Sequence, residues 1–316
     1  MLNISAVNNK SVSRTVFRAN KISVNDLRYK EALISGLKDT FSLSVSPEAL
    51  ESVAGPDEFK SLLKKFTQKD FAVGKYFKKI TPLKDAFENI LRGLYRVNLH
   101  IHTVFSDGKL TLEDFLRQSF IYANKVAKEN KPDDLPPYTT AITDHNNVEG
   151  VKKAIASIAS EPEKYKNLKF VAGCEFRFRD EAGSPALHSY EALGFCFNPF
   201  DKELSSSLTD FNDLSIIPKI KEYDGVFSYA HPLRYCQKNK FNEDFLKYLI
   251  SKGVNGVESR YQYLDFRIND DFIKQIDEVR SLTDKYDLYE TGGTDTHSEN
   301  IFHKAAKFML TDLLGV

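Results

Sequence analysis

From residue 94 onward the chain alternates short apolar runs with longer amphipathic segments, and most of the apolar runs lead into a side chain that can bind a metal ion. Leu94-Tyr95-Arg96-Val97 opens into Asn98-Leu99-His100-Ile101-His102-Thr103-Val104-Phe105-Ser106-Asp107-Gly108. Tyr138 to Ile142 runs into Thr143-Asp144-His145, and Leu168 to Ala172 into Gly173-Cys174-Glu175. His188 precedes the run around Leu193-Gly194-Phe195, Gly225 to Tyr229 leads to His231, and a last run near Tyr286 to Glu290 leads to Thr294-Asp295-Thr296-His297. Short runs rich in β-branched and aromatic residues read as strands. Their alternation with the helical patterns Leu112 to Ala127 and Val148 to Ala159 reads as a parallel α/β sheet or barrel.

Strand geometry sharpens this reading. Positions i and i+2 project from the same face, so His100 and His102 stand side by side, and Asp295 and His297 repeat the spacing. In a closed barrel the first and last strands are neighbours, which turns both pairs toward one space. The C-terminal strand ends are where such barrels carry their chemistry. One histidine after a strand is commonly a hydrogen-bonded structural group. Here six of the seven histidines occupy such places, together with Asp107, Glu175 and Asp295. That set points to metal binding. Asp144 is grouped with the catalytic residues as a side chain that orients its neighbour His145. His303 is expected at the surface.

Composition excludes several classes. No apolar run approaches the ~18 residues of a membrane span, and no apolar segment follows Met1 to Ser5 as a secretory signal would require. Lys+Arg and Asp+Glu both number 44, with 16 basic against 10 acidic residues over 1–94 and 28 against 34 beyond. This lacks the large basic face of a dedicated nucleic-acid binder, and an acidic surplus suits a region holding cations. Cys174, Cys196 and Cys236 are far apart and odd in number, which fits buried thiols in a reducing cytoplasm. Residues 1–94 read as a separate helical extension. A basic leader runs through Lys10, Arg14, Arg18 and Lys21, helices cover Asp26 to Lys38 and Pro56 to Phe66, and Ser46-Pro47 and Thr81-Pro82 mark two further starts.

The motifs at Asn98 to Gly108, Thr143-Asp144-His145, Gly173-Cys174-Glu175, Ala230-His231-Pro232 and Thr294 to His297 together resemble those of the PHP (polymerase and histidinol phosphatase) superfamily. The likeness spans about 95–316. Glu175 through Phe195 and Gly256-Val257-Glu258 are similar to its stand-alone bacterial phosphoesterases. The resemblance implies an α/β fold, a distorted seven-stranded (β/α) TIM-like barrel, with a trinuclear metal centre. It also implies nine ligands: His100, His102, Asp107, His145, Glu175, His188, His231, Asp295 and His297. Asn98 departs from the family's usual Asp, which predicts weaker support for the site. The short stretch from His188 to His231 lacks the insertion of RNA-processing members and favours a small substrate.

Nine nitrogen and oxygen donors suit two or three divalent ions, and imidazole with carboxylate suits Zn, Mn or Fe better than Mg or Ca. Such a cluster turns water into hydroxide at neutral pH and neutralises a phosphoryl group. The expected function is metal-dependent hydrolysis of a small phosphorylated metabolite, a nucleotide or a short RNA or DNA. Arg234, three residues past His231, is the first choice to clasp phosphate, ahead of Arg177 and Arg260. An amidohydrolase, whose barrel also opens with His-x-His and ends with Asp, is the alternative. The Thr-Asp-His step, the Asp-x-His ending and the lack of an obvious bridging lysine weigh against it. A third reading is a non-catalytic, metal-stabilised module whose helical front binds a partner. No membrane partner is expected, and the sequence leaves the oligomeric state open.

Overall fold

The strands β1 (Val97–Asn98), β2 (Tyr138–Ile142), β3 (Leu168–Phe178), β4 (Tyr190–Phe195), β5 (Val226–Tyr229), β6 (Gly256–Val257) and β7 (Tyr289–Glu290) form one curled sheet, ordered as in the chain. The structure, a computed structural model, describes residues 22–66, 70–71, 96–129, 136–179, 190–234, 243–261 and 270–301. The basic leader, the Thr81-Pro82 helix, His188, Cys236 and His303 lie outside them. Nine α-helices occur among the described residues: α1 (Val24–Phe41), α2 (Pro56–Lys65), α3 (Leu112–Glu129), α4 (Glu149–Ser160), α5 (Pro162–Tyr165), α6 (Lys202–Ser207), α7 (Ile217–Ile220), α8 (Glu243–Ser251) and α9 (Asp270–Lys285). None is long and apolar enough to cross a membrane.

The expected parallel order holds at both ends of the sheet but not in its middle. β1, β2 and β3 are parallel, as are β5, β6 and β7, whereas β4 runs antiparallel to both β3 and β5. A parallel return needs a crossover of about a dozen residues or more, usually with a helix. The stretch from Arg179 to Ser189 is at the lower limit for that, and β4 comes back antiparallel beside the strand it has just left.

The seven strands curl into a half-barrel without a ladder between β1 and β7. Beyond their ends the seam is stitched by single contacts. Leu99 N–H donates to Gly292 C=O at 3.1 Å, His102 N–H to Thr296 C=O at 3.0 Å, and Ile101 bridges Thr296. The opening and closing segments are therefore adjacent although the barrel is not closed.

Residues 22–66 pack directly on this sheet. In α1, Ser23 caps the helix by accepting from Asp26 N–H at 3.0 Å, and Tyr29, Leu33 and Leu37 form its inward stripe. The Ser46-Pro47 start yields a single 3₁₀ turn, Pro47–Leu50, to which Ser46 makes no side-chain cap. Val53 lies alongside the first half of β3: Phe170 N–H donates to Ser52 C=O at 2.8 Å and Ala54 N–H to Phe170 C=O at 2.9 Å. The Phe59 ring meets Phe195 at 5.4 Å, and the buried residues of α1 and α2 share one apolar core with β1, β2 and β3.

Gly36 shows how close this packing is, since a Cβ there would stand 2.2 Å from Phe200 Cγ. A helix gains about 1 kcal/mol when Gly becomes Ala, whereas overpacking costs ~1–3 kcal/mol. The clash with a ring decides the sign. Gly36→Ala is expected to lower stability in urea unfolding, and a rise in the midpoint would show that Phe200 moves aside freely.

Candidate metal centre

Every strand of the sheet delivers a polar side chain to one end of the half-barrel. His100 and His102 follow β1, and His145 follows β2. Glu175 lies within β3, which continues past the expected strand end at Ala172. Glu191 is the second residue of β4, His231 follows β5, Glu258 follows β6, and Asp295 and His297 follow β7. His100, His102, Glu175, His231, Glu258 and Asp295 are buried, and Asp107 and His297 form the more open side.

Glu175 sits at the middle. Its Oε2 lies 3.2 Å from His100 Nε2, from His102 Nε2 and from His145 Nδ1, while Oε1 lies 2.9 Å from His231 Nε2. Asp295 Oδ1 is 3.2 Å from His102 Nε2 and 3.5 Å from His100 Nε2. At the open side His297 Nε2 is 3.3 Å from Asp107 Oδ1, and Asp107 lies 3.7 Å from both His102 and His145. Eight of the nine donors read from the sequence are thus brought together, and the ninth, His188, is outside the described residues.

The backbone is bent to achieve this. His231 (φ 26°) and Asp295 (φ 45°) both adopt left-handed conformations that cost a non-glycine residue free energy, a strain that concentrates at functional sites. Gly293 lets the closing segment press against the opening one, because a Cβ there would lie 2.3 Å from His100 N.

Neighbouring groups hold the donors in place. His100 Nδ1 donates to Glu258 Oε1 at 2.9 Å, which turns Nε2 toward Glu175, and Glu258 Oε2 accepts from His231 N–H at 2.8 Å. Asp144 accepts from Thr103 N–H and Oγ1, both at 2.7 Å, and from Ser106 Oγ at 2.8 Å. Its carboxylate fixes the turn that carries Asp107 and acts as a positioning group. Arg234 Nη1 donates to Asp295 Oδ2 at 2.8 Å, as does Tyr261 OH at 2.6 Å. Arg177 Nε donates to Glu191 Oε1 at 2.7 Å and Nη2 to His145 Nε2 at 2.8 Å. Arg260 is turned onto Glu290, at 2.6 Å from Nε and 2.9 Å from Nη2. It is thereby committed to a structural acid.

Asn98 strengthens the frame in place of weakening it. Its Oδ1 accepts from Thr294 N–H at 2.9 Å and its Nδ2 donates to Ile301 C=O at 2.9 Å. The amide both accepts and donates, which an ionised carboxylate at this place could not.

Sequence reasoning did not assign roles to Glu191 or Glu258. The signal for Glu191 was a lone acid in the apolar run Tyr190-Glu191-Ala192-Leu193, and for Glu258 an acid directly after Gly256-Val257.

The donor set fits divalent cations. Among the described residues, His102 Nδ1 and His145 Nδ1 are buried nitrogens without a hydrogen-bond partner, and each belongs to a group of donors lying within 4.8 Å of one another. Without ions, protons balance the carboxylates. Burial opposes charge on His102, but bonds to Asp295 and Glu175 outweigh it and raise its pKa to about 9. His231 rises to about 9 in the same way, burial being outweighed by Glu175 and Glu191. Burial lowers His145 to about 4, leaving it neutral. The bond from His297 holds Asp107 well below the usual carboxylate range.

No protein-family model matches the chain, and no curated protein matches it. Among solved structures it is similar to a candidate metal-dependent phosphoesterase from Bifidobacterium adolescentis. That likeness has 19% identity and a TM-score of 0.46, and covers 69% of this chain and 98% of that one. It is also similar to an amidohydrolase from Chromobacterium violaceum with sulfate bound and no metal, at 16% identity and a TM-score of 0.48, covering 64% and 88% respectively.

Two outcomes are expected of the centre itself. Because His102 and His231 carry protons below about 9, uptake of Zn2+ at pH 7 should release protons. Apparent affinity should climb as pH rises toward 9 and level off above it, read by calorimetry in buffers of different ionisation enthalpy. Heats independent of buffer would refute this. Asn98→Asp should place a carboxylate against the Ile301 carbonyl and cost ~1–3 kcal/mol of stability, measured by urea unfolding at pH 7.

Proposed function

We propose that this chain is a metal-dependent phosphoesterase acting on small phosphorylated substrates, including nucleotides or short oligonucleotides, and that it is a member of the PHP superfamily. The observation that carries the reading is a guanidinium on the lip of the donor cluster. Arg234, with its side chain 38% exposed, is anchored on Asp295 beside the buried imidazoles. A phosphoryl group is matched by such a cation in charge and geometry already in the bound ester, whereas an amide presents an anion only once its tetrahedral intermediate forms.

His100, His102, Asp107, His145, Glu175, His231, Asp295 and His297 would hold two or three divalent ions, with Zn, Mn and Fe suited to this mix of imidazole and carboxylate. When bound, such ions supply an activated water and neutralise charge on the phosphoryl oxygens. The chain contributes the rest. Arg234 orients the ester so that the phosphorus faces the cluster, and its bond to Asp295 keeps the guanidinium from swinging into solvent. The buried floor limits access of bulk water to the open side near Asp107 and His297. Glu258 fixes His100, and Asp144 fixes the Thr103–Ser106 turn. The donors therefore need little rearrangement as charge moves from the phosphoryl group to the leaving oxygen.

The amidohydrolase reading is tested in the same assay. Protein loaded with Mn2+ or Zn2+ is offered p-nitrophenyl phosphate, nucleotides, phosphorylated metabolites and short RNA, with amide and lactone substrates in parallel. Phosphate release is expected, lost at least a hundredfold in His102→Ala. Arg234→Met should reduce kcat/KM for phosphate esters about tenfold or more with the metal content unchanged. Turnover confined to amides or lactones would overturn the proposal.

A further inference from the structure

We infer that Glu191 is itself a metal ligand and that, with Glu175 and His231, it forms a carboxylate-rich subsite whose ion preference differs from that of the more imidazole-rich subsite at His100, His102 and Asp295. This rests on the reading of the centre as a hydrolase metal cluster.

Glu191 is 5% exposed and lies on a strand whose neighbours Tyr190, Ala192, Leu193 and Phe195 are all buried apolar residues. A carboxylate in such a place needs compensation. Its Oε2 is 3.2 Å from His231 Nε2, the nitrogen that also lies 2.9 Å from Glu175 Oε1. Its other oxygen, Oε1, is 3.9 Å from His145 Nδ1 and accepts from Arg177 Nε at 2.7 Å. Arg177 and Glu191 are register partners on β3 and β4, so the clamp is set by the ladder itself. It grips one oxygen and presents the other to His231.

Charge points the same way. Glu175, Glu191, Glu258 and Asp295 are four carboxylates at most 5% exposed, and the guanidinium groups bonded to them are Arg177, on Glu191, and Arg234, on Asp295. Glu175 and Glu191 each turn one oxygen toward His231 Nε2, at 2.9 Å and 3.2 Å, which marks a cation position between the three groups. That position offers two oxygens to one nitrogen, whereas at His100, His102 and Asp295, which Glu175 Oε2 also reaches, nitrogens and oxygens are equal in number. Oxygen donors suit Mn2+ and its hard neighbours, and imidazole suits Zn2+. One pocket then holds two kinds of ion.

The test uses the full chain stripped of metal by chelator, titrated with Mn2+ followed by electron paramagnetic resonance and with Zn2+ followed by calorimetry. Bound ions are counted by mass spectrometry, and folding is checked by circular dichroism. Glu191→Gln is expected to bind one Mn2+ fewer per chain, or to bind that ion at least tenfold more weakly. Glu191→His is expected to restore the count and raise the Zn2+ to Mn2+ affinity ratio at least tenfold over the wild type. It also serves as the informative variant should Glu191→Gln fail to fold. Unchanged stoichiometry and affinity in Glu191→Gln, or an unchanged ratio in Glu191→His, would overturn the assignment. A wild type that binds ions in this pattern yet releases phosphate from no ester would sink the proposed function alone, and one that binds no ion would sink both.

Discussion

One buried carboxylate among four imidazoles sets the terms for the whole structure. Glu175 lies within 3.2 Å of nitrogens from His100, His102, His145 and His231, which arrive from three different strand ends. Such a convergence is unfavourable unless charge is balanced by protons or cations, and it persists only if the backbone leaves the side chains no alternative. The left-handed residues His231 and Asp295, the glycine-sized approach of Gly293 to His100, and the two-sided Asn98 bridge all serve that end. Each constrains the direction from which a donor enters.

Much of the site was legible because metal-capable side chains interrupt otherwise apolar strands, and six of seven histidines fall in such places. Spacing alone put His100 beside His102 and Asp295 near His297, and the seam contacts between the opening and closing segments realise that adjacency. What stayed hidden shares a cause. Reading donors past the end of each strand presumes that all strands point the same way. β4 does not: its antiparallel course brings its first residues to the site, and there the sequence points to His188 ahead of the run and passes over Glu191 within it. Glu258 could be seen as an acid in place, but its two bonds, to His100 Nδ1 and His231 N–H, depend on pairings distant in sequence.

The arginines illustrate a further limit of sequence. Arg177, Arg234 and Arg260 look equivalent as cations a few residues from strand ends. Geometry separates them: Arg260 is tied to Glu290, Arg177 spans Glu191 and His145, and Arg234 rests on Asp295 at the open lip. Partner choice among fixed acids, which no local pattern encodes, gives each a different task.

The reversal of β4 has an effect far from the metal donors. Because β4 accompanies only the second half of β3, the first half would present bare amide and carbonyl groups were it not covered by Ser52 to Ala54. Uncovered strand edges recruit other chains. A shortened protein starting at residue 95, which keeps the whole sheet and its donor cluster, would therefore carry an adhesive margin at Phe170 and tend toward aggregates, so the preceding segment acts as the sheet's own guard against self-association.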